Sequence, residues 1–132
     1  MARVILPAVT AGRWVLCDRF ADSTRVYQGL AGGLGLELVD RLQEPALGGL
    51  RPDLTLLLDL PPETGLWRRW AEGGDGRFEA KGLDYHRRIR EGFLELARRE
   101  PGRFLVLDAT LAEDRLADRV WEEVRRRFGL GG

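Results

Sequence analysis

The chain has 132 residues, and its 21 basic and 21 acidic side chains give a formal net charge of zero. This length suits one domain with one core, and an apolar content of 44% with mixed charge excludes a disordered chain. Zero net charge argues against nucleic-acid or membrane-surface binding, and no signal peptide or membrane-spanning run is visible. We therefore expect one domain, residues 1–132, in a soluble cytoplasmic protein.

The basic residues are almost all arginine, with Lys81 the only lysine. Arginine presents planar, paired donors that suit phosphate groups. A bias toward Arg, Leu, Gly and Ala also follows from genome composition alone, so both interpretations stay open.

The first part of the chain predicts a helix, a strand and a further amphipathic helix. Residues 3–11 resemble a helix that ends at Gly12. Residues 14–18 form a short apolar run that predicts a buried strand, with Cys17 as a small core residue. Leucines at four-residue spacing between 34 and 42 predict the second helix, which we expect to end near Pro45.

The second part predicts two more buried strands, 54–59 and 104–108, with helical patterns between and after them. The longest helix, about 81–100, has one apolar stripe of Tyr85, Ile89, Phe93, Leu96 and Ala97. Strands separated by helical crossovers indicate an α/β fold with a parallel sheet of three predicted strands flanked by helices.

The last helix follows Thr110 and Glu113, whose spacing fits a capping box. Its apolar spacing predicts an inward face formed by Ala117, Trp121, Val124 and Phe128.

Each predicted strand ends in an aspartate: Asp18, Asp59 and Asp108. Parallel strands present their carboxyl ends at one edge, where open α/β sheets bind ligands. Aspartate is also common in turns and helix starts, and we favour that interpretation for Asp59 and Asp108. For Asp18 we favour function, with Mg²⁺ as a candidate ligand, because several polar side chains follow it: Arg19, Ser23, Thr24, Tyr27 and Gln28.

Within this group, Arg19 is suited to clamp a phosphate at two points. Tyr27 is suited to contact a base, and core packing is the equally weighted alternative. Asp22 or Ser23 is predicted to cap the helix that begins here.

A second polar cluster combines Arg68 and Arg69 with Arg77, across a glycine-rich break. Arginines on a mobile flap would neutralise charge on a transferring phosphoryl group. A solvated helix end is the alternative.

These motifs together resemble thymidylate kinase of the bacterial type. The resemblance rests on the Asp18-Arg19-Phe20 motif, the stretch from Ser23 to Gly29, the strand 52–59, the arginine region 68–79 and the closing elements 90–97 and 106–109. It implies a fold of the P-loop NTPase, nucleoside monophosphate kinase type, and transfer of phosphate from ATP to dTMP in dTTP biosynthesis.

Carried over by position, the resemblance implies that Arg19 binds the monophosphate of dTMP and that Asp18 lies on the Mg²⁺ side. Ser23, Thr24, Tyr27 and Gln28 would line the thymidine pocket. Arg68, Arg69 and Arg77 would belong to a lid at about 68–79 that approaches ATP. The turn Asp108, Ala109 and Thr110 would lie near adenine, and helices at 22–42 would form a homodimer surface.

The sequence departs from the family because the phosphate loop G-x-x-x-x-G-K-[ST] does not occur in it. The resemblance implies that the first strand with this loop, the next strand and a helix with a further substrate arginine are missing as well. We therefore expect an N-terminally incomplete kinase domain that is inactive alone. A misassigned start, a partner chain that supplies the loop, and a non-catalytic nucleotide-binding relative are the explanations left open.

Overall fold

A computed structural model describes the backbone of residues 2–73 and 80–131, and the side chains of 3–73 and 82–131. Two parallel strands form its sheet: β1 (Thr55–Asp59) pairs with β2 (Phe104–Asp108). The register runs from Thr55 opposite Phe104 to Asp59 opposite Asp108. The predicted parallel α/β architecture is confirmed, with two strands among the described residues instead of three.

Helices precede, connect and follow these strands. The first half of the chain contains α1 (Ala2–Thr10), α2 (Ala21–Thr24), a π-helix (Arg25–Leu30) and α3 (Leu36–Leu47). The second half contains α4 (Pro62–Ala71), α5 (Ala80–Arg99) and α6 (Glu113–Phe128). Among the described residues, no helix combines the length and the apolar character needed to cross a bilayer.

The core lies where the π-helix and α5 meet the sheet. Its buried side chains are Val26 from the π-helix, Ile89, Leu96 and Ala97 from α5, and Phe104 from β2. The three α5 residues belong to the predicted apolar stripe, so that part of the prediction is confirmed. The seven-residue spacing of Ile89 and Leu96 keeps them on one face of a helix with 3.6 residues per turn, and Ala97 lies at the edge of that face.

A glycine permits this close approach of the two helices. A Cβ atom on Gly92 would lie 2.7 Å from Cγ1 of Val26 and 3.6 Å from Cβ of Leu30. The π-helix therefore packs directly against the backbone of α5, and no larger residue fits there without a shift.

The predicted strand at 14–18 is wrong for this structure. Residues 13–17 form neither helix nor strand, and Leu16 is 97% exposed. Cys17, predicted in the core, is also exposed. A buried strand needs a ladder partner and cover on both faces, and the described residues supply neither for this apolar run.

Two helix predictions also need correction. Pro45 lies inside α3, which continues to Leu47 before Gly48 adopts a φ of 57°. The predicted inward face of α6 is not buried: no residue of that helix is buried, and Trp121 is 57% exposed. Apolar periodicity indicates which face a helix can bury, but a packing partner must be present to cover it.

Replacing Gly92 by Ala should destabilise the fold by about 1–3 kcal/mol, because the new methyl group overpacks the contact with Val26. Urea unfolding measures this change. Gly82→Ala on the same helix is the control: a Cβ there meets nothing within 4 Å, so helix propensity should make that variant slightly more stable. Equal stability of the two variants would contradict the close approach.

Candidate functional site

Arg19 has an unusual backbone conformation. Its φ of 60° is positive, and it is the one non-glycine residue in the described part of the chain with this property. Such a conformation costs on the order of 1–3 kcal/mol and persists where surrounding structure enforces it, often at functional sites. The Cys17 thiol donates a hydrogen bond to the Arg19 carbonyl at 3.4 Å, within the same turn.

The Arg19 guanidinium lies over an aromatic ring. Its Cζ atom is 5.9 Å from the centroid of the Tyr27 ring, within the range of a cation–π contact. Tyr27 also meets Phe93 and Tyr85 edge to face, with ring centroids 6.4 Å apart in both pairs. The packing interpretation of Tyr27 is supported, and its ring also positions the cation of Arg19.

A cavity of about 190 Å³ lies beside Arg19. Its walls come from the residues around the start of α2 and from the end of α3. They are Arg19, Phe20, Ala21, Thr24, Gln43, Ala46, Leu47 and Leu50. Two residues selected from the sequence, Arg19 and Thr24, therefore line one largely apolar cavity. Ser23, Tyr27 and Gln28 are not among its lining residues.

The other two candidates on this segment lie close by. Ser23 is partly buried, and its N–H donates to the carbonyl of Phe20 at 3.2 Å. Gln28 is exposed, and its carbonyl accepts from the N–H of Leu34 at 3.1 Å. All the predicted residues of this group lie within residues 18–30, which we call segment 18–30. Beyond this proximity in sequence, the structure brings Arg19 to the Tyr27 ring and places Arg19 and Thr24 in one cavity wall.

The carboxyl ends of β1 and β2 form a second polar region. Asp59 accepts two hydrogen bonds from Arg90, Nε to Oδ1 at 2.7 Å and Nη2 to Oδ2 at 2.9 Å. Asp59 raises the pKa of Arg90 through these bonds. The Asp59 carbonyl accepts from the N–H of Ala109 at 2.9 Å, which extends the ladder beyond β2.

Asp108 organises the turn after β2. Its Oδ1 accepts from the Thr110 hydroxyl at 2.6 Å and from the Thr110 N–H at 2.9 Å. These bonds lower the pKa of Asp108. The predicted capping box of Thr110 and Glu113 is wrong: residue 112 precedes the first turn of α6 without a side-chain cap, because Asp108 already holds the Thr110 hydroxyl.

Arg68 connects α4 with this turn. Its Nη1 donates to the carbonyl of Ala109 at 3.1 Å, so the structure places the first of the predicted lid arginines beside the turn Asp108 to Thr110. Arg69 is exposed on α4. Arg77 lies outside the described residues, as does much of the predicted lid.

The metal prediction concerns Asp18, which is exposed. Among the described residues, no group of three or more His, Cys, Asp or Glu side chains is arranged to hold a metal ion. Mg²⁺ is commonly held by one or two carboxylates with substrate phosphates and water. A single accessible carboxylate fits that donor set.

Sequence reasoning missed the ionic partners of these elements. The run Arg87, Arg88 and Arg90 indicates the solvent-facing side of the long helix, but Arg90 follows the inward Ile89 directly and pairs with Asp59. Asp22 was predicted as a helix cap, but α2 has no side-chain cap, and Asp22 instead pairs with Arg25 and Arg103. Since Arg103 is 81 residues away in sequence, no local pattern could indicate this pair.

The chain resembles known proteins along most of its length. The family model for thymidylate kinase matches residues 1–120. The chain belongs to the thymidylate kinase family. A thymidylate kinase from Caulobacter vibrioides is 52% identical over 128 residues, with 97% of this chain and 62% of the relative covered. The thymidylate kinase from Deinococcus radiodurans is 50% identical over 124 residues, with 94% and 60% covered.

The fold comparison agrees with this family. A crystal structure of thymidylate kinase from Ehrlichia chaffeensis superposes with a TM-score of 0.62 at 27% sequence identity. The match covers 80% of this chain and 49% of that one. The chain thus spans about 60% of the length of the curated thymidylate kinases that it matches.

Replacing Thr110 by Val should raise the pKa of Asp108 toward its ordinary value of 3.8, because the strongest of its hydrogen bonds is lost. The Thr110 N–H remains, so part of the depression should persist. A depressed carboxyl pKa stabilises the fold above the unfolded pKa, and this stabilisation disappears as pH falls through the folded value. Titration of the Asp108 carboxyl by NMR measures the shift. An unchanged pKa would contradict the hydroxyl contact.

Proposed function

We propose that this chain is the acceptor-binding part of a thymidylate kinase, which transfers a phosphoryl group from ATP to dTMP and yields ADP and dTDP. The observation that carries the proposal is the placement of Arg19, which lies over the Tyr27 ring and lines the same cavity as Thr24. Family membership supplies the identity of the substrates.

In this proposal, the Arg19 guanidinium binds the dTMP monophosphate through paired, charge-assisted hydrogen bonds. Its contact with Tyr27 restricts the side chain before substrate arrives, which lowers the entropy cost of binding. Thr24 and Ser23 supply hydroxyl groups and Gln28 an amide to the nucleoside, and the Tyr27 ring borders the base.

On the donor side, we assign Arg68 and Arg69, with Arg77, to a lid at about 68–79. The Arg68 contact with the Ala109 carbonyl supports a site that extends from this helix to the turn Asp108 to Thr110, where the adenine of ATP would lie. Arginines here would stabilise charge on the phosphoryl group during transfer. Asp18 would hold Mg²⁺ together with phosphate oxygens, and the ion would supply additional charge neutralisation.

The donor phosphates need a cradle of backbone N–H groups. The motif that forms it, G-x-x-x-x-G-K-[ST], does not occur in these 132 residues. We propose that a segment outside them supplies it, on the same polypeptide or on a partner chain. Without that segment, the chain would bind dTMP without turnover, which is the second candidate function.

We also propose a homodimer that uses the helices at 22–42. The supporting observation is a row of exposed leucines on and before α3: Leu34, Leu38 and Leu42 are 52%, 44% and 67% exposed. Leu38 and Leu42 lie one turn apart on α3, and Leu34 lies in the bend before this helix. The three side chains therefore offer exposed apolar surface to a second copy.

Replacing Arg19 by Ala should weaken dTMP binding by about ten- to hundredfold, the range for a hydrogen bond to a charged group. Calorimetry with dTMP measures the affinity. Arg119→Ala, an exposed position on α6, changes the net charge equally and should bind dTMP like the parent chain. Arg19→Lys keeps the positive charge but lacks the paired donors of the guanidinium group. Its dTMP affinity should lie between those of Arg19→Ala and the parent chain. Equal affinity of Arg19→Ala and the parent would refute the acceptor assignment.

Turnover distinguishes the two candidate functions. The chain alone should bind dTMP and release no ADP from ATP in a coupled assay. Addition of a segment that carries G-x-x-x-x-G-K-[ST] should restore ADP release that depends on dTMP. Binding that persists without any turnover in the completed protein would favour the non-catalytic module.

A further inference from the structure

Asp22 is the buried charged residue among the described part of the chain, with 8% of its surface exposed. It lies in α2, directly before Ser23 and Thr24. Arg103 donates two parallel hydrogen bonds to the Asp22 carboxylate, from Nη1 to Oδ2 at 2.7 Å and from Nη2 to Oδ1 at 2.9 Å. Arg25 adds a third donor at 3.2 Å. Three charge-assisted hydrogen bonds thus fix the beginning of segment 18–30.

Arg103 joins this carboxylate to the rest of the fold. It stands directly before β2, and its Nη1 also donates to the hydroxyl of Thr55, the first residue of β1, at 2.7 Å. Its Nη2 donates to Glu100 at 2.8 Å. One side chain therefore connects α2 with the start of both strands and with the end of α5.

Arg25 makes a second set of connections from the first residue of the π-helix. Its Nη1 donates to Glu100 at 2.8 Å, and its Nε lies 2.8 Å from Oδ1 of Asp40 on α3. The ion-pair network, which we define as Asp22, Arg25, Asp40, Glu100 and Arg103, therefore ties segment 18–30 to α3, α5 and the sheet.

The network is partly removed from water. The side chains of Arg25 and Arg103 are 17% and 15% exposed. Burial by itself lowers the pKa of both guanidinium groups, but the bonds to carboxylates outweigh burial and raise it. The guanidinium groups likewise lower the pKa of Glu100 against the effect of burial. Arg25, Arg103 and Glu100 are thus stabilised in their charged forms. Loss of one carboxylate leaves the partly buried arginines with less compensation for their charge.

Segment 18–30 has a second contact with α5, directly after Arg25. Val26 is fully buried against the Gly92 backbone of α5. The carbonyl of Val26 accepts from the N–H of Ala31 at 2.8 Å, a bond that spans five residues and closes the π-helix. Thr24 lies between Asp22 and Val26 in sequence, and Tyr27 directly follows Val26. The contacts of Asp22 and Val26 therefore fix the backbone that carries Thr24 and Tyr27.

We propose that Asp22 is a positioning residue for the acceptor: through Arg103 and Arg25 it holds segment 18–30 in the orientation that presents its side chains to dTMP. This inference rests on the proposed function for the identity of the ligand. Asp22 itself does not contact the ligand and acts through the position of Thr24 and Tyr27. The network therefore sets acceptor affinity from outside the binding cavity.

The test uses Asp22→Asn in the full chain, because asparagine keeps the shape and removes the charge. Hydrogen exchange of the amides from 25 to 31 should accelerate about tenfold or more, since the loss of one charged hydrogen bond is of that order. In the same variant, dTMP affinity measured by calorimetry should fall about tenfold, although circular dichroism shows a fully folded chain.

The matched control is Glu123→Gln on α6. Glu123 also pairs with two arginines, Arg126 at 2.6 Å and Arg127 at 2.9 Å. This control removes a comparable ion-pair cluster from a helix that carries none of the proposed acceptor residues. It should leave both the exchange of residues 25–31 and the dTMP affinity unchanged, so that a general loss of stability is separated from positioning.

Three results would overturn the inference. The first is an unchanged rate of hydrogen exchange at amides 25–31 in a folded Asp22→Asn variant. This measurement tests the inference even if the parent chain binds no dTMP and the proposed function fails. The second is faster hydrogen exchange in Asp22→Asn while its dTMP affinity stays equal to that of the parent chain. That result would show that the network stabilises the structure without affecting dTMP binding. If Asp22→Asn does not fold, the milder variant Arg25→Lys is measured instead. The third contradicting result would be unchanged hydrogen exchange at amides 25–31 and unchanged dTMP affinity in Arg25→Lys.

Discussion

The contact between Val26 and the backbone of α5 at Gly92 is the constraint on which the rest of the structure depends. It brings segment 18–30 against a helix that lies more than sixty residues later in the chain, and it places Tyr27 beside Phe93. The absence of a side chain at Gly92 makes this distance possible. Because Arg19 lies over the ring of Tyr27, the geometry of the candidate site follows from an apolar contact in the core.

The charged side chains form two separate groups, one at each end of the two strands. The ion-pair network fixes the beginning of segment 18–30 to the start of both strands. At the opposite, carboxyl ends of these strands, Asp59 pairs with Arg90 and Asp108 holds Thr110. The second region has the position in which parallel sheets bind ligands, but its aspartates already have partners in the protein. Asp18 and Arg19 therefore carry the stronger case for direct contact with a substrate.

Local patterns were reliable where an element needs only its own sequence and a nearby partner. The apolar stripe of α5 and the strands β1 and β2 were predicted correctly, since a crossover helix keeps parallel strands adjacent. The run at 14–18 has the same apolar character, yet it forms no strand because the described residues give it no hydrogen-bonding partner. The face of α6 with Trp121 is exposed for a related reason: amphipathic spacing does not create the surface that covers it.

The sequence by itself determined the family and the fold class, because these depend on residue types at short and regular spacing. It also selected the residues on segment 18–30 that we propose for phosphate and nucleoside binding. Only the tertiary structure decided that Arg19 lies over Tyr27, that Arg68 reaches the turn after β2, and that Asp22 is gripped by Arg103. The physical reason is distance along the chain. A guanidinium finds its carboxylate through the packing of helices on a sheet, and that packing is a property of the whole core and not of any local pattern.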